Sequence, residues 1–131
     1  MIYGKVNAHQ EVIIPLQVHG QNGGTEDIEA ALDTGFTGFL TLPSALVATL
    51  QLPFWETSEF TLGDGSRVAF NVYVATVLWE GQEREVFVLA AEGAPLVGMS
   101  LLNGFRLTVD VVDGGAVTIE ALEKDKSGGV V

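Results

Sequence analysis

The alternating segment from Arg67 to Trp79 is the feature that most narrows the folds open to this chain. Successive side chains of an extended strand point to opposite faces, so a period of two marks a strand. One face would carry Val68, Phe70, Val72, Val74, Thr76 and Leu78, and the other Ala69, Asn71, Tyr73, Ala75, Val77 and Trp79. The segment therefore predicts one long extended strand.

Further strand and turn signals lie along the rest of the chain. The glycine-rich and polar segment 21–25 separates an apolar strand from a second one that ends at Asp33, which predicts a hairpin. The remaining strand predictions are Phe60–Leu62, Arg84–Ala90 after a turn at Glu80–Gln82, and Phe105–Val112 with Ala116–Glu120 around a turn at Asp113–Gly115. Helix is limited to about two turns over Pro43–Leu50 and about one over Met99–Asn103.

Many short strands with little helix predict an all-β fold, a closed or nearly closed β-barrel with one or two short helices. With 131 residues and 47% hydrophobic content, the chain is long enough for one domain with its own core. We assign residues 1–123 to that domain. The polar, glycine-containing segment 124–131 is expected to be a mobile C-terminal tail.

Charge and composition exclude several classes of function. A formal net charge of −11 with only six Lys and Arg argues against nucleic-acid binding and against anionic membrane surfaces. The sequence contains no cysteine, no apolar segment of signal-peptide length near Met1 and no long apolar run. We therefore expect a cytoplasmic protein without disulfides, and no contact with membranes.

One carboxylate is placed where a structural role alone would not put it. Asp33-Thr34-Gly35 follows the apolar run Ile28–Leu32 and precedes a second one, Phe36–Leu42. A buried carboxylate is costly unless it is hydrogen-bonded or shares a proton. An ordinary Asp-x-Gly turn is the alternative reading of the tripeptide alone. A second element, Pro95–Leu102, adds weight because two apolar residues and Gly98 lead into a short helix-forming stretch.

With these motifs the chain resembles the retropepsin-like aspartic proteases, in particular their small prokaryotic single-domain members. Leu32–Gly35 resembles the catalytic motif, and Leu96, Val97 and Gly98 resemble the element that crosses behind the catalytic loop. The segment 62–66 resembles the flap hairpin of the family, and it consists of Leu62, Gly63, Asp64, Gly65 and Ser66. The family usually has Ala or Ser after the motif glycine, and this chain has Phe36, with Thr37 as the next candidate to supply a hydroxyl.

The resemblance implies a mechanism and an assembly. Asp33, Thr34 and Gly35 would be catalytic, and substrate would contact Phe36, Thr37, the flap residues 62–66 and Leu96–Gly98. The motif occurs once, whereas two-lobed aspartic proteases carry it twice, so a homodimer would supply the second carboxylate. The expected function is hydrolysis of peptide bonds in a peptide or protein substrate, with no metal and no cofactor.

Two alternative functions stay open, and the sequence argues against two others. A catalytically inactive barrel of the same ancestry that binds peptide or protein segments is the main alternative, and a dimeric structural protein is a third. A phosphoryl-accepting Asp would need alternating helices and further acidic ligands, which the sequence lacks. His9 and His19 have no partners at metal-ligand spacing, so surface histidines are expected.

Overall fold

The computed structural model describes residues 1–123, and the predicted mobile tail 124–131 lies outside the described residues. The described part consists mainly of strands with two short α-helices, α1 (Ser44–Thr49) and α2 (Met99–Leu102). The strands are β1 (Ile2–Val6), β2 (Val12–His19), β3 (Thr25–Leu32), β4 (Leu40–Leu42), β5 (Phe54–Thr61), β6 (Arg67–Trp79), β7 (Gln82–Ala90), β8 (Leu96–Val97), β9 (Phe105–Val109) and β10 (Ala116–Ala121).

Six strands close into a ring in the order β6, β7, β4, β8, β3 and β2, because β2 pairs with β6 as well as with β3. The strands β1, β10 and β9 continue the sheet outward from β2, and β5 flanks β6. Most neighbours are antiparallel, whereas β8 runs parallel to β3 and β4 runs parallel to β7. The predicted all-β fold is confirmed, with a closed circuit of strands around one core.

The long strand β6 has the predicted bounds and the predicted alternation, but its buried face changes along its length. Val72 is buried on one face, whereas Ala75, Val77 and Trp79 are buried on the other. The first half pairs with β5 in a projecting hairpin, and the second half lies between β7 and β2 in the ring. The strand β6 therefore lies in two different environments. The face that is buried in its first half is opposite to the face that is buried in its second half.

The core fills the interior of the ring with aliphatic side chains. The strands β2, β4, β7 and β8 each contribute fully buried residues, and α2 adds Leu101. The largest side chains with almost no exposure are Ile14, Leu40, Leu42, Leu101, Ile119, Val18, Val77, Val88, Val97 and Val117. This packing holds the ends of β3 and β8, from which the candidate site extends.

One local prediction was wrong, one was confirmed, and two strands were missed. The strand predicted over Phe105–Val112 ends at Val109, because the N–H of Val112 donates to the carbonyl of Asp110 (2.8 Å) and so forms a turn. The hairpin predicted between β2 and β3 is confirmed, and the segment Gln21–Gly23 that joins them is a 3-10 turn. The strand β1 and residues 54–59 of β5 were not predicted.

The two helices are near the predicted positions. The helix α1 begins directly after Pro43, whose carbonyl accepts a hydrogen bond from the N–H of Leu46 (3.0 Å). The chain leaves α2 through Gly104, which has a φ of +90° that favours glycine. Within residues 1–123, neither helix has the length and apolar character needed to cross a membrane.

Candidate active site

Asp33 follows the last residue of β3 and is held by backbone hydrogen bonds on both sides. Its N–H donates to the carbonyl of Val97 (2.9 Å), and its own carbonyl accepts from the N–H of Phe36 (3.1 Å). The N–H of Gly35 donates to the carboxylate oxygen Oδ1 of Asp33 (2.9 Å). Asp33 is half-buried, whereas Thr34 and Gly35 are exposed. The carboxylate is therefore fixed in position while the loop that carries it faces outward.

The strand β8 ties this loop to the ring from behind. It pairs with β3 on one edge and with β4 on the other. Beyond it, the N–H of Gly98 donates to the carbonyl of Phe39 (3.0 Å), and the N–H of Met99 donates to the carbonyl of Phe36 (2.8 Å). The loop 33–39 and the segment 96–100 thus form one interlocked unit, which we call the floor of the site.

The aromatic ring of Phe36 occupies space that two glycines leave open. A Cβ atom on Gly38 would lie 2.6 Å from carbon atoms of the Phe36 ring, and one on Gly98 would lie 2.6 Å from the same ring. A Cβ on Gly98 would also lie 2.2 Å from the carbonyl oxygen of Gly38. Phe36, Gly38 and Gly98 therefore fit together, and the large residue after the motif is accommodated by the floor.

Thr37 does not bond to the Asp33 side chain. Within residues 1–123, the carboxylate of Asp33 accepts one hydrogen bond, the one from Gly35. The carbonyl of Thr37 accepts from the hydroxyl of Ser100 (2.5 Å), which adds another link between the two parts of the floor. The hydroxyl that a Ser would supply after the motif glycine therefore has no counterpart at Asp33 in the described part of the chain.

The hairpin of β5 and β6 lies opposite the floor, and we call it the roof. Its tip, residues 62–66, is closed by hydrogen bonds from the N–H of Leu62 to the carbonyl of Ser66 (2.7 Å) and from the N–H of Gly65 to the carbonyl of Leu62 (2.9 Å). Gly65 has a φ of +87°. The whole segment 59–67 is exposed.

Asp64 stabilises the tip through local hydrogen bonds. Its carboxylate accepts from the hydroxyl of Ser66 (2.6 Å) and from the N–H of Ser66 (2.9 Å). The hydroxyl, followed by the N–H, lowers the pKa of Asp64 below its ordinary value because both stabilise the charged form. The polar groups of Asp64 and Ser66 are thus used within the turn.

Floor and roof enclose a cleft of about 660 Å³, a size typical of ligand sites. Seven of the sequence-predicted site residues line it: Asp33, Gly35, Phe36, Thr37, Leu62, Gly63 and Leu96. The other six lie outside the lining: Thr34, Asp64, Gly65, Ser66, Val97 and Gly98. Val97 and Gly98 are buried behind the loop, where they support it.

The aromatic wall of the cleft was missed by the sequence reasoning. Phe39, Trp55, Phe60, Phe70 and Phe87 all line it. The rings of Phe60 and Phe70 meet at a centroid distance of 5.6 Å, and those of Trp55 and Phe87 at 5.4 Å. The alternation of β6 placed Phe70 on the same face as Val72, but no sequence signal indicated that this face lines a cleft. The wall makes the cleft suited to apolar side chains.

The two histidines lie away from this cleft. His19 on β2 has its Nε2 atom 2.7 Å from the side-chain oxygen of Gln17, and the N–H of His9 donates to the side chain of Asn7 (3.0 Å). Within residues 1–123, no cluster of three or more His, Cys, Asp or Glu residues is arranged to hold a metal ion.

Two solved structures are similar to this chain. A retropepsin-like aspartic protease from Rickettsia conorii matches with a TM-score of 0.56 and 16% identity, over 92% of this chain and 90% of its own. The solution structure of the Simian Foamy Virus (mac) protease matches with a TM-score of 0.47 and 24% identity, over 67% of this chain and 90% of its own. The sequence matches no protein-family model and no curated protein. The chain has the retropepsin-like fold, so the resemblance seen in its motifs is confirmed at the level of fold.

Proposed function

We propose that the protein is an aspartic endopeptidase whose catalytic dyad combines Asp33 of one chain with Asp33 of a second copy. The observation that carries the proposal is the position of Asp33, fixed by Gly35 in the floor of a cleft with an aromatic wall. The retropepsin-like fold supports the same reaction, since the similar structure from Rickettsia conorii is that of a retropepsin-like aspartic protease.

The chemistry requires two carboxylates about 3 Å apart that share one proton, because like charges at that distance cannot both be ionised. The ionised carboxylate activates a water molecule, and the protonated one polarises the carbonyl of the scissile peptide bond. The motif occurs once in the sequence. A homodimer is therefore part of the proposal, and the exposed Thr34 and Gly35 are the residues of the loop that would face the partner.

The cleft suits a peptide in extended conformation. Several residues of β5 between Trp55 and Thr61 line it, and the lining extends to Leu62 and Gly63 at the tip. At about 3.3 Å per residue, the distance from Glu56 to Leu62 is roughly 20 Å, the length of about six extended residues. Phe36, Thr37, Leu62, Gly63 and Leu96 are the predicted substrate-binding residues that such a peptide would meet, and the tip residues Asp64, Gly65 and Ser66 would act by shaping the roof.

A peptide-binding module without catalysis is the second candidate. It is favoured by one observation: floor, roof and aromatic wall all belong to a single chain, so the cleft exists without a partner. Under either function the protein would act on peptides. The absence of cysteine from the sequence agrees with the cytoplasm as the proposed location.

Replacement of Asp33 by Asn tests the proposal. Asp33→Asn keeps the shape of the side chain and removes the base, so peptide hydrolysis should fall by at least about a thousandfold. The melting temperature should equal or exceed that of the wild type, because the substitution removes the repulsion between two carboxylates that lie close together. Asp27→Asn is the control: Asp27 lies on β3, the strand that leads to Asp33, is exposed and lies outside the lining of the cleft. Unchanged turnover in Asp33→Asn would contradict the proposal.

A further inference from the structure

An irregularity in the roof gives the cleft one charged subsite. In the pairing of β5 with β6, Phe54 lies opposite Tyr73 and Glu56 lies opposite Val72, so Trp55 is an extra residue on β5. Such a β-bulge breaks the alternation of a strand and redirects a side chain. As a result, the neighbours Trp55 and Glu56 both line the cleft, whereas Phe54 does not and packs instead against the ring of Tyr73 at 5.6 Å.

The redirected residues form a small group with a ring and a carboxylate. The ring of Trp55 meets that of Phe87 on β7 at a centroid distance of 5.4 Å, and both side chains remain exposed, at 59% and 41%. The carboxylate of Glu56 accepts a hydrogen bond from the hydroxyl of Ser58 (2.7 Å), which also lines the cleft. We call Trp55, Glu56, Ser58 and Phe87 the bulge subsite.

Among residues 1–123, the ionisable side chains that line the cleft are all acidic. They are those of Asp33 and Glu56, and no Lys or Arg of this part of the chain lines the cleft. Arg84 lines an adjoining hollow, where its guanidinium group lies over the ring of Phe39 (5.7 Å) and donates to the carbonyl of Leu101 (3.1 Å). Arg67 on the roof is paired with Glu59 (3.5 Å).

We propose that the bulge subsite binds a lysine or arginine side chain of the peptide, so that the preferred substrates combine a basic residue with apolar ones. A cation over the faces of Trp55 and Phe87 gains from the charge distribution of the rings. The Glu56 carboxylate supplies a charge-assisted hydrogen bond. The net charge of −11 adds long-range attraction for basic peptides. The inference rests on the proposed function, because it assumes a peptide in the cleft.

Binding without turnover gives the cleanest test. Apolar hexapeptides that carry a single Lys, moved through successive positions, are compared with the same peptides carrying Gln, by calorimetric titration of the Asp33→Asn protein. At one position Lys should bind about tenfold more tightly than Gln. Glu56→Gln in the same background should remove this preference. A preference for Gln, or none at any position, would overturn the inference.

Glu29→Gln is the matched control for Glu56→Gln. Glu29 is exposed on β3, its replacement makes the same change in net charge, and it is outside the lining of the cleft. It should keep the preference for Lys. An equal loss of preference in both variants would show that overall charge attracts the peptides, and that the bulge subsite does not. Trp55→Leu should lower the affinity for Lys peptides more than that for Gln peptides.

Hydrolysis by the wild-type protein separates the inference from the function on which it rests. If peptides are cleaved with no preference for a basic residue, the proposed function stands and the bulge subsite is wrong. If Lys peptides bind with the expected preference and none is cleaved, the inference stands for a binding module. If no peptide binds or is cleaved, both are wrong.

Discussion

The floor and the roof of the cleft are built in opposite ways. In the floor, the loop 33–39 and the segment 96–100 are joined by backbone hydrogen bonds, and Gly98 has no room for a side chain. In the roof, apart from the adjoining residues, no heavy atom of residues 1–123 lies within 4 Å of the Cβ position at either Gly63 or Gly65, and residues 59–67 are all exposed. The floor is a packed part of the ring, whereas the tip of the roof has few neighbours.

This difference indicates which part of the site is rigid and which part can move. A carboxylate that must meet a second one within about 3 Å needs a rigid support, which the floor provides. Segments with few packed contacts open at low cost in free energy, and lids over active sites are drawn from such segments. We expect mutations in the floor to affect mainly stability, and mutations in the roof to affect mainly turnover.

The largest effect is expected from Gly98→Ala in the floor. The added Cβ would lie 2.2 Å from the carbonyl oxygen of Gly38 and 2.7 Å from that of Phe36. Backbone atoms cannot move aside cheaply, so the free energy of unfolding should fall by about 3 kcal/mol. Chemical denaturation measures this change.

The matched control is Gly63→Ala in the roof, where the same substitution meets no neighbour within 4 Å. Its effect on stability should stay within about 0.5 kcal/mol. Equal losses of stability in the two variants would show that floor and roof do not differ in packing.

The next effect concerns movement of the roof. Gly65 has a φ of +87°, which a β-branched residue adopts only at a cost of about 1–2 kcal/mol. Gly65→Val should therefore lower stability by that amount and lower turnover by a larger factor, because it alters the tip that covers the cleft. Gly81→Val, at a φ of +77° in the turn between β6 and β7, should lose stability similarly and keep its turnover. Turnover and stability that fall in proportion in both variants would mean that the tip is not a lid.

The smallest effect is expected from Ser66→Ala at the tip. The Ser66 hydroxyl is the main cause of the lowered pKa of Asp64, so its removal should raise that pKa toward its ordinary value. A carboxylate with a lowered pKa stabilises the folded state above its unfolded pKa, and this contribution is lost as the pH falls through the folded pKa. The turn should therefore be intact at neutral and mildly acidic pH and weaken only in stronger acid. Titration of Asp64 by NMR measures the shift, and an unchanged pKa would contradict this account.

Much of the fold could be predicted because it depends on local patterns. The alternation in β6, the glycine-rich turns and Pro43 before α1 each act within a few residues, and the structure confirms the elements they predicted. The motif Asp33–Gly35 and the apolar pair before Gly98 also resembled a known fold strongly enough to identify it. These are cases in which local sequence and final structure agree.

The wall of the cleft could not be predicted because it depends on contacts between distant segments. Trp55 lines the cleft through a bulge, and a bulge leaves no mark on the alternation of a strand that is exposed along most of its length. Phe87 meets Trp55 only after β7 has paired with β6. The role of Phe36 was equally hidden, because the space for its ring is provided by Gly38 and by Gly98 from separate segments.

The most direct test of the central claim is a mixing experiment between wild-type and Asp33→Asn chains. At a constant concentration of wild-type chain, an equal amount of Asp33→Asn chain is added and allowed to exchange, and peptide hydrolysis is measured. If the dyad needs one Asp33 from each chain, about half of the wild-type chains enter mixed dimers that have a single carboxylate, so activity should fall to about half. Asp27→Asn chains, added in the same way, should raise activity. Activity that is unaffected by the Asp33→Asn chain would show that each chain works alone, which would contradict a dyad shared across a homodimer.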